Sequence, residues 1–207
     1  MNTFIFNWWE KLFQILDLLT PLGLFKKIAK KEKLSYGLVE IWIIGTFILS
    51  FFAAFFSSLN WFRPTWNFLI IFGSWRLLEI FVVNFNVLFF DLFRANREGR
   101  AYQLGGYRRL LVLVFMNYFE VIFWFTIIFK KNIAHFRSCN SLLNESLSPI
   151  YLSVVTMTTL GSGDIFPVDN IGMLITLLQN LFGIFLAVAI IGKFISFLPT
   201  PKSVKEN

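Results

Sequence analysis

The chain has 207 residues, 57% of them hydrophobic, and a mean hydropathy of +0.67, well above the roughly 45–50% apolar content of soluble domains. Only 15% of residues are charged, yet the net charge is +7; the cations flank hydrophobic runs, which points to anionic lipid and membrane orientation and away from nucleic acid. One cysteine, Cys139, and one histidine, His135, exclude an intrachain disulfide framework and a Cys- or His-based metal centre.

Residues 3–20 have helical periodicity. Asn7, Glu10, Lys11, Gln14 and Asp17 fall on one face, and Phe4, Trp8, Leu12, Ile15 and Leu19 on the other. Such a helix is expected to lie in the membrane interface, and its charges argue against a cleavable signal peptide. Pro21 and Gly23 are read as its end, and Lys26, Lys27, Lys30, Lys31 and Lys33 follow as a lipid-facing basic segment. A regulatory lipid site there is a second reading.

A helix needs roughly 20 residues to cross about 30 Å of hydrocarbon. Residues 41–62 hold no charge and form the first predicted span. Residues 66–90 form the second, with Arg76 and Glu79 inside it. Residues 91–109 are a basic loop, and 110–129 form the third span, containing Glu120. After a polar loop and the segment from Ser148 to Asp164, residues 171–192 form a charge-free fourth span. Fourteen Lys and Arg lie on the side of the termini and the 91–109 loop, against four on the other side. That imbalance places both termini in the cytoplasm of a multi-pass protein, with the cell's plasma membrane as its expected home.

Ser148-Pro149 suits a helix start, and about ten helical residues after it are too few to cross a bilayer. The run Thr159-Leu160-Gly161-Ser162-Gly163-Asp164 is not helical. Non-helical backbone at membrane depth survives only when buried in protein or lining a water-filled path. A half-span followed by Gly-x-Gly and a charge-free span therefore reads as a re-entrant pore loop.

This segment resembles the potassium-channel pore signature, Thr-Val-Gly-Tyr-Gly-Asp after a Thr-rich pore helix, over roughly residues 110–195. Thr159, Gly161, Gly163 and Asp164 match it, Leu160 replaces Val conservatively, and Ser162 stands in place of the Tyr. The resemblance implies that four copies surround an axis as a homotetramer. Carbonyls of Thr159, Leu160, Gly161 and Ser162, with the Thr159 hydroxyl, would replace the hydration shell of potassium or sodium. Glycine would permit the positive φ that turns carbonyls inward. The pore helix would aim its C-terminal partial negative charge at the cavity, and Asp164 would sit at the outer mouth. Without the Tyr ring, a looser outer filter and mixed sodium–potassium conductance are expected; the opposing reading keeps potassium preference through the Gly-x-Gly backbone alone. Gly183 lies where the family often has a gating hinge, although glycine also lets transmembrane helices pack closely. Gly192 is a weaker candidate.

Arg76 and Glu79 share a helix face and should pair with each other or with Glu120, because intramembrane charge is costly. The favoured reading is a structural ion pair; voltage sensing or coupling to the pore is the alternative. One arginine within a span does not make a steep voltage sensor. Asn84, Asn86 and Asn117 are expected as interhelical hydrogen-bonding groups. Cys139 is read as a free thiol or an intersubunit disulfide, and His135 as a loop histidine or an acid sensor.

The expected fold is all-α: four transmembrane helices, one re-entrant pore helix and filter loop between the third and fourth, and an N-terminal interfacial helix. Residues 1–36 would be the N-terminal segment, 37–109 a peripheral hairpin with its basic loop, 110–198 the pore domain and 199–207 a tail. The reading is a passive homotetrameric cation channel in membrane lipid, not an enzyme, with monovalent cations as its only small ligands and no cofactor. The alternative is a heteromeric or non-conducting subunit serving as a membrane adaptor or scaffold.

Overall fold

The structure, a computed structural model, describes residues 4–28, 36–56, 65–90, 97, 107–139, 146–161 and 163–195. Ser162, Lys30, Lys31, Lys33, Arg94, Arg100 and the 199–207 tail lie outside the described residues. The described chain is mostly helical. In order it forms α1 (Phe4–Leu19), α2 (Pro21–Ile28), α3 (Tyr36–Phe56) and α4 (Trp66–Phe85), which continues as a π-helical turn, Asn86–Phe90. Then come α5 (Tyr107–Lys131), β1 (Phe136–Ser138), α6 (Ser148–Met157), β2 (Ile165–Pro167) and α7 (Asn170–Ile195).

Among the described residues, four helices are long and apolar enough to cross a membrane: Gly37–Phe56, Trp66–Phe90, Arg109–Lys131 and Asn170–Ile195. The first begins earlier than the charge-free run suggests, because Glu40 is tolerated in its first turns, where Arg109 at the start of α5 pairs with it.

Helix α5 is the hub. It packs against α3, α4, α6 and α7, burying Val121, Trp124, Phe125 and Phe129. Phe123 meets Phe47 and Phe51 of α3 at ring distances of 5.7 and 5.4 Å. Trp124 meets Phe72 of α4 at 5.7 Å, and Phe125 meets Phe182 of α7 at 6.0 Å. Lipid tails are as apolar as these side chains, so van der Waals fit and interhelical hydrogen bonds, rather than burial from water, hold such helices together. Edge-on aromatic pairs add about 0.5–1.5 kcal/mol each in measured cases.

The N-terminal helices depart from the sequence reading in two ways. Glu10 and Phe13 of α1 are buried, while Phe4, Trp8, Ile15 and Leu19 are exposed. Phe13 stacks on Phe85 at 4.0 Å, and Arg97 pairs with Glu10 at 3.2 Å. One edge of the nominally polar face therefore meets protein, at Glu10 and Phe13, while Lys11 and Gln14 stay exposed; an ion pair neutralises Glu10. The first helix ends at Leu19, before Pro21 as expected; the second departure is that a further helix, α2, starts at Pro21 and runs through Gly23. Thr20 caps it by accepting the Gly23 amide on Oγ1 at 3.1 Å, with Pro21 at the first helical position. The α1–α2 corner is fixed to α4, since Trp75 Nε1 donates to the Leu19 carbonyl at 2.7 Å and the Leu22 amide donates to Glu79 at 2.8 Å.

Candidate ion-conduction site

Helices α5, α6 and α7 are tied together at one buried point. Ser153 of α6 donates from Oγ to the Ile122 carbonyl of α5 at 2.7 Å. Gln179 of α7 donates from Nε2 to the Ser153 carbonyl at 2.9 Å and to its Oγ at 2.7 Å. Lower down, Tyr118 of α5 donates to the Met157 carbonyl at 3.4 Å. An added Cβ on Gly183 would lie 2.4 Å from that same carbonyl oxygen. Gly183 thus sits where α7 backbone and the end of α6 come closest, and a side chain there would push the two apart.

Helix α6 ends in a Schellman turn. The Thr159 amide donates to the Thr156 carbonyl and the Leu160 amide to the Val155 carbonyl, both at 3.1 Å. The turn places Thr159 at φ +58°, the left-handed position usually filled by glycine. Gly161 also has positive φ, at +74°. The sequence reading assigned that conformation to glycines alone; Thr159 adopts it because the turn needs it to satisfy two end-of-helix carbonyls. Thr159, Leu160, Gly161, Gly163 and Asp164 are all exposed, Leu160 at 79%. Behind them a cavity of about 320 Å³ opens between Thr156, Thr159, Gly161, Thr176 and Asn180.

Beyond the loop, β2 pairs antiparallel with β1, with Arg137 opposite Phe166. The Cys139 amide extends the ribbon by donating to the Asp164 carbonyl at 3.2 Å, and Cys139 is a free, exposed thiol. The Val168 amide donates to the His135 carbonyl at 3.0 Å. Asp169 then caps α7: its Oδ1 accepts the Gly172 amide at 2.9 Å, and its Oδ2 lies 2.5 Å from His135 Nδ1. The Gly172 amide first, and then His135, hold the Asp169 carboxyl below the usual carboxylate range. The loop is therefore anchored at its start by the α6 turn and at its end by the ribbon and the α7 cap. Short strands and a contact 34 residues long in sequence left no periodic signal from which to find the ribbon or the His135–Asp169 pair.

The intramembrane charges meet in one cluster beside the pore helices. Arg76 bonds Glu79 at 2.5 Å and Glu120 at 2.9 and 3.0 Å. Trp42 of α3 donates to Glu79 and Trp124 to Glu120, both at 3.1 Å. Asn117 Oδ1 accepts from Arg76 at 3.5 Å. All three charged side chains are at most 2% exposed. Every bond to the two carboxylates comes from a donor, so the cluster joins α2, α3, α4 and α5 through two acceptor hubs. Near the C-terminal end of α7, Lys193 is buried and donates to Asn84 of α4 at 3.4 Å. Among the described residues no cluster of His, Cys, Asp or Glu has the makings of a metal site.

A short helix capped halfway, a non-helical loop after it, and a long helix packed on both describe a pore module, and residues 111–199 match the family model described as Ion channel. Over those residues the chain is similar to the pore domain of that ion-channel family. That family transports ions and is not a class of enzymes. Comparison with curated proteins and with solved structures finds no match. The match begins four residues into α5 and runs past the end of α7, so α1 to α4 are an addition beside the pore module.

Proposed function

We propose that the chain is one quarter of a homotetrameric cation channel that conducts potassium, and sodium with it, through the carbonyls of Thr159, Leu160, Gly161 and Ser162. The observation that carries this reading is the loop from Thr159 to Asp164: tied down at both ends, turned by positive φ at Thr159 and Gly161, and uncovered on one side in a single chain. Backbone in that state at membrane depth needs a water-filled path or more protein, and four copies around an axis supply both. Asp164 adds negative charge at the outer mouth. Both termini lie in the cytoplasm, by the distribution of Lys and Arg.

The absence of an aromatic ring at Ser162 removes the side chain that braces the filter in the resembling family, so sodium passes alongside potassium. The test is the reversal potential of purified protein in a planar bilayer, with potassium on one side and sodium on the other. A reversal near zero with robust cation current is the expected result. Reversal at the potassium limit would overturn the mixed selectivity and leave the channel reading standing. Silence in both the natural protein and the Ser162→Tyr variant would overturn the channel itself.

A further inference from the structure

Outside the pore module, a cleft of about 550 Å³ lies between α2, α3 and α4. That volume is within the range of about 300–1,000 Å³ typical of ligand pockets. Leu22 and Phe25 form one wall, Ile41, Trp42 and Gly45 the second, and Trp75 the third. The lining is almost wholly apolar, and Phe25 and Ile41 are exposed at 53% and 69%. Along α3 the cleft runs from Leu38 to Leu49, a rise of about 16 Å at 1.5 Å per residue. This is close to half of a hydrocarbon core of about 30 Å, or one leaflet. The Leu38 end lies in the first turns of α3, the part of the sequence that the lysines precede. The helix walling the cleft carries Lys26 and Lys27 in its last turn.

An apolar slot one leaflet deep, walled by a helix whose last turn carries the exposed Lys27, has the chemistry of a phospholipid with a negative headgroup. Glu40, the nearby acid on α3, is paired with Arg109 and does not oppose such a headgroup. We propose that this cleft binds one anionic phospholipid, with an acyl chain along Trp42, Gly45 and Trp75 and its headgroup at Lys27. The assignment does not depend on conduction. The occupant touches Leu22 and Trp42, the two groups that donate to Glu79 from outside its own helix. It therefore braces the side of the charge cluster that faces away from the pore.

Trp42 and Trp75 provide the readout, because acyl chains brominated at mid-length quench tryptophan on contact. The full chain is reconstituted in phosphatidylcholine vesicles holding a minor fraction of brominated phosphatidylglycerol, or the same fraction of brominated phosphatidylcholine. Excess quenching by the phosphatidylglycerol is expected. Gly45→Phe should abolish that excess: an added Cβ at Gly45 meets nothing within 4 Å, so the ring fills the cleft while α3 keeps its course. Lys27→Gln should lower the preference for phosphatidylglycerol about five-fold, the equivalent of about 1 kcal/mol per lysine at an anionic surface. Equal quenching by both lipids would overturn the site and leave only ordinary boundary lipid. An excess that survives Gly45→Phe would overturn its location. No contact quenching by either lipid would mean that protein covers the cleft, which also overturns the proposal.

Discussion

At Gly161, φ is +74° and a Cβ would find open space in the single chain, so the cost of a side chain is purely conformational. An L-residue in the left-handed region costs roughly 1–2 kcal/mol, and in the proposed tetramer that cost would fall on four copies of one filter. Gly161→Ala should therefore leave folding and assembly intact and abolish cation flux, measured by thallium uptake into vesicles holding the purified protein. Full flux in this variant would mean that ions do not pass this backbone. Asp169 offers a second test at the same scale. Its folded carboxyl is held below its ordinary value by the Gly172 amide and then by His135. A depressed carboxylate contributes stability that is complete above the unfolded value of about 3.9 and is lost as pH falls through the folded one. Asp169→Asn keeps a capping oxygen but cannot titrate. Its thermal midpoint should therefore fall less than that of the natural protein between pH 5 and strongly acidic conditions of about pH 2. Parallel curves would remove Asp169 from the acid response.

Among the elements, the charge cluster makes the sharpest prediction. Burying charge costs free energy that only full pairing offsets, so removing one partner is worse than removing all three. Arg76→Met leaves Glu79 and Glu120 side by side without their cation and should destabilise by about 3–5 kcal/mol. The triple variant with Glu79→Gln and Glu120→Gln should recover much of that loss. The check is the midpoint of heat-induced aggregation in detergent for the single and triple variants. A triple variant no better than Arg76→Met would mean that the cluster is not an electrostatic unit. The sequence announced this cluster because charge inside an apolar run has few explanations. It announced the four spans for the same reason, since twenty apolar residues in a row have one common use. The pore loop was legible because a half-length helix followed by Gly-x-Gly has no other home in a membrane. Helix α2 was hidden by Pro21 and Gly23, which mark a helix start as well as a helix end. The docking face of α1 was hidden because amphipathicity separates polar from apolar positions without saying which side meets protein. Phe13 decided that, through Phe85, seventy-two residues away.

For the whole molecule, the unpartnered surface is concentrated on α7. Its buried residues are Gly172, Gln179, Gly183, Leu186, Ala189 and Lys193, a narrow stripe turned toward the rest of the chain. Leu174, Leu177, Leu181, Ile184, Val188 and Ile191 are all exposed at more than half of their surface. Lipid could cover that face, but lipid does not cover the exposed loop from Thr159 to Asp164, which adjoins it and carries polar backbone. Four copies arranged about the loop would cover both at once, with α7 innermost and α1 to α4 at the rim. Closed cyclic symmetry makes each interface the same and leaves no open edge. The expected particle is four chains of 24.2 kDa, about 97 kDa of protein, measured by native mass spectrometry after gentle release from detergent. Ile184→Cys should give disulfide-linked pairs under mild oxidation in a Cys139→Ser background, since α7 helices of different copies approach one another around the axis. A monodisperse monomer with no crosslinking would leave the loop without the protein that backbone at membrane depth requires, and the pore reading would fail with it.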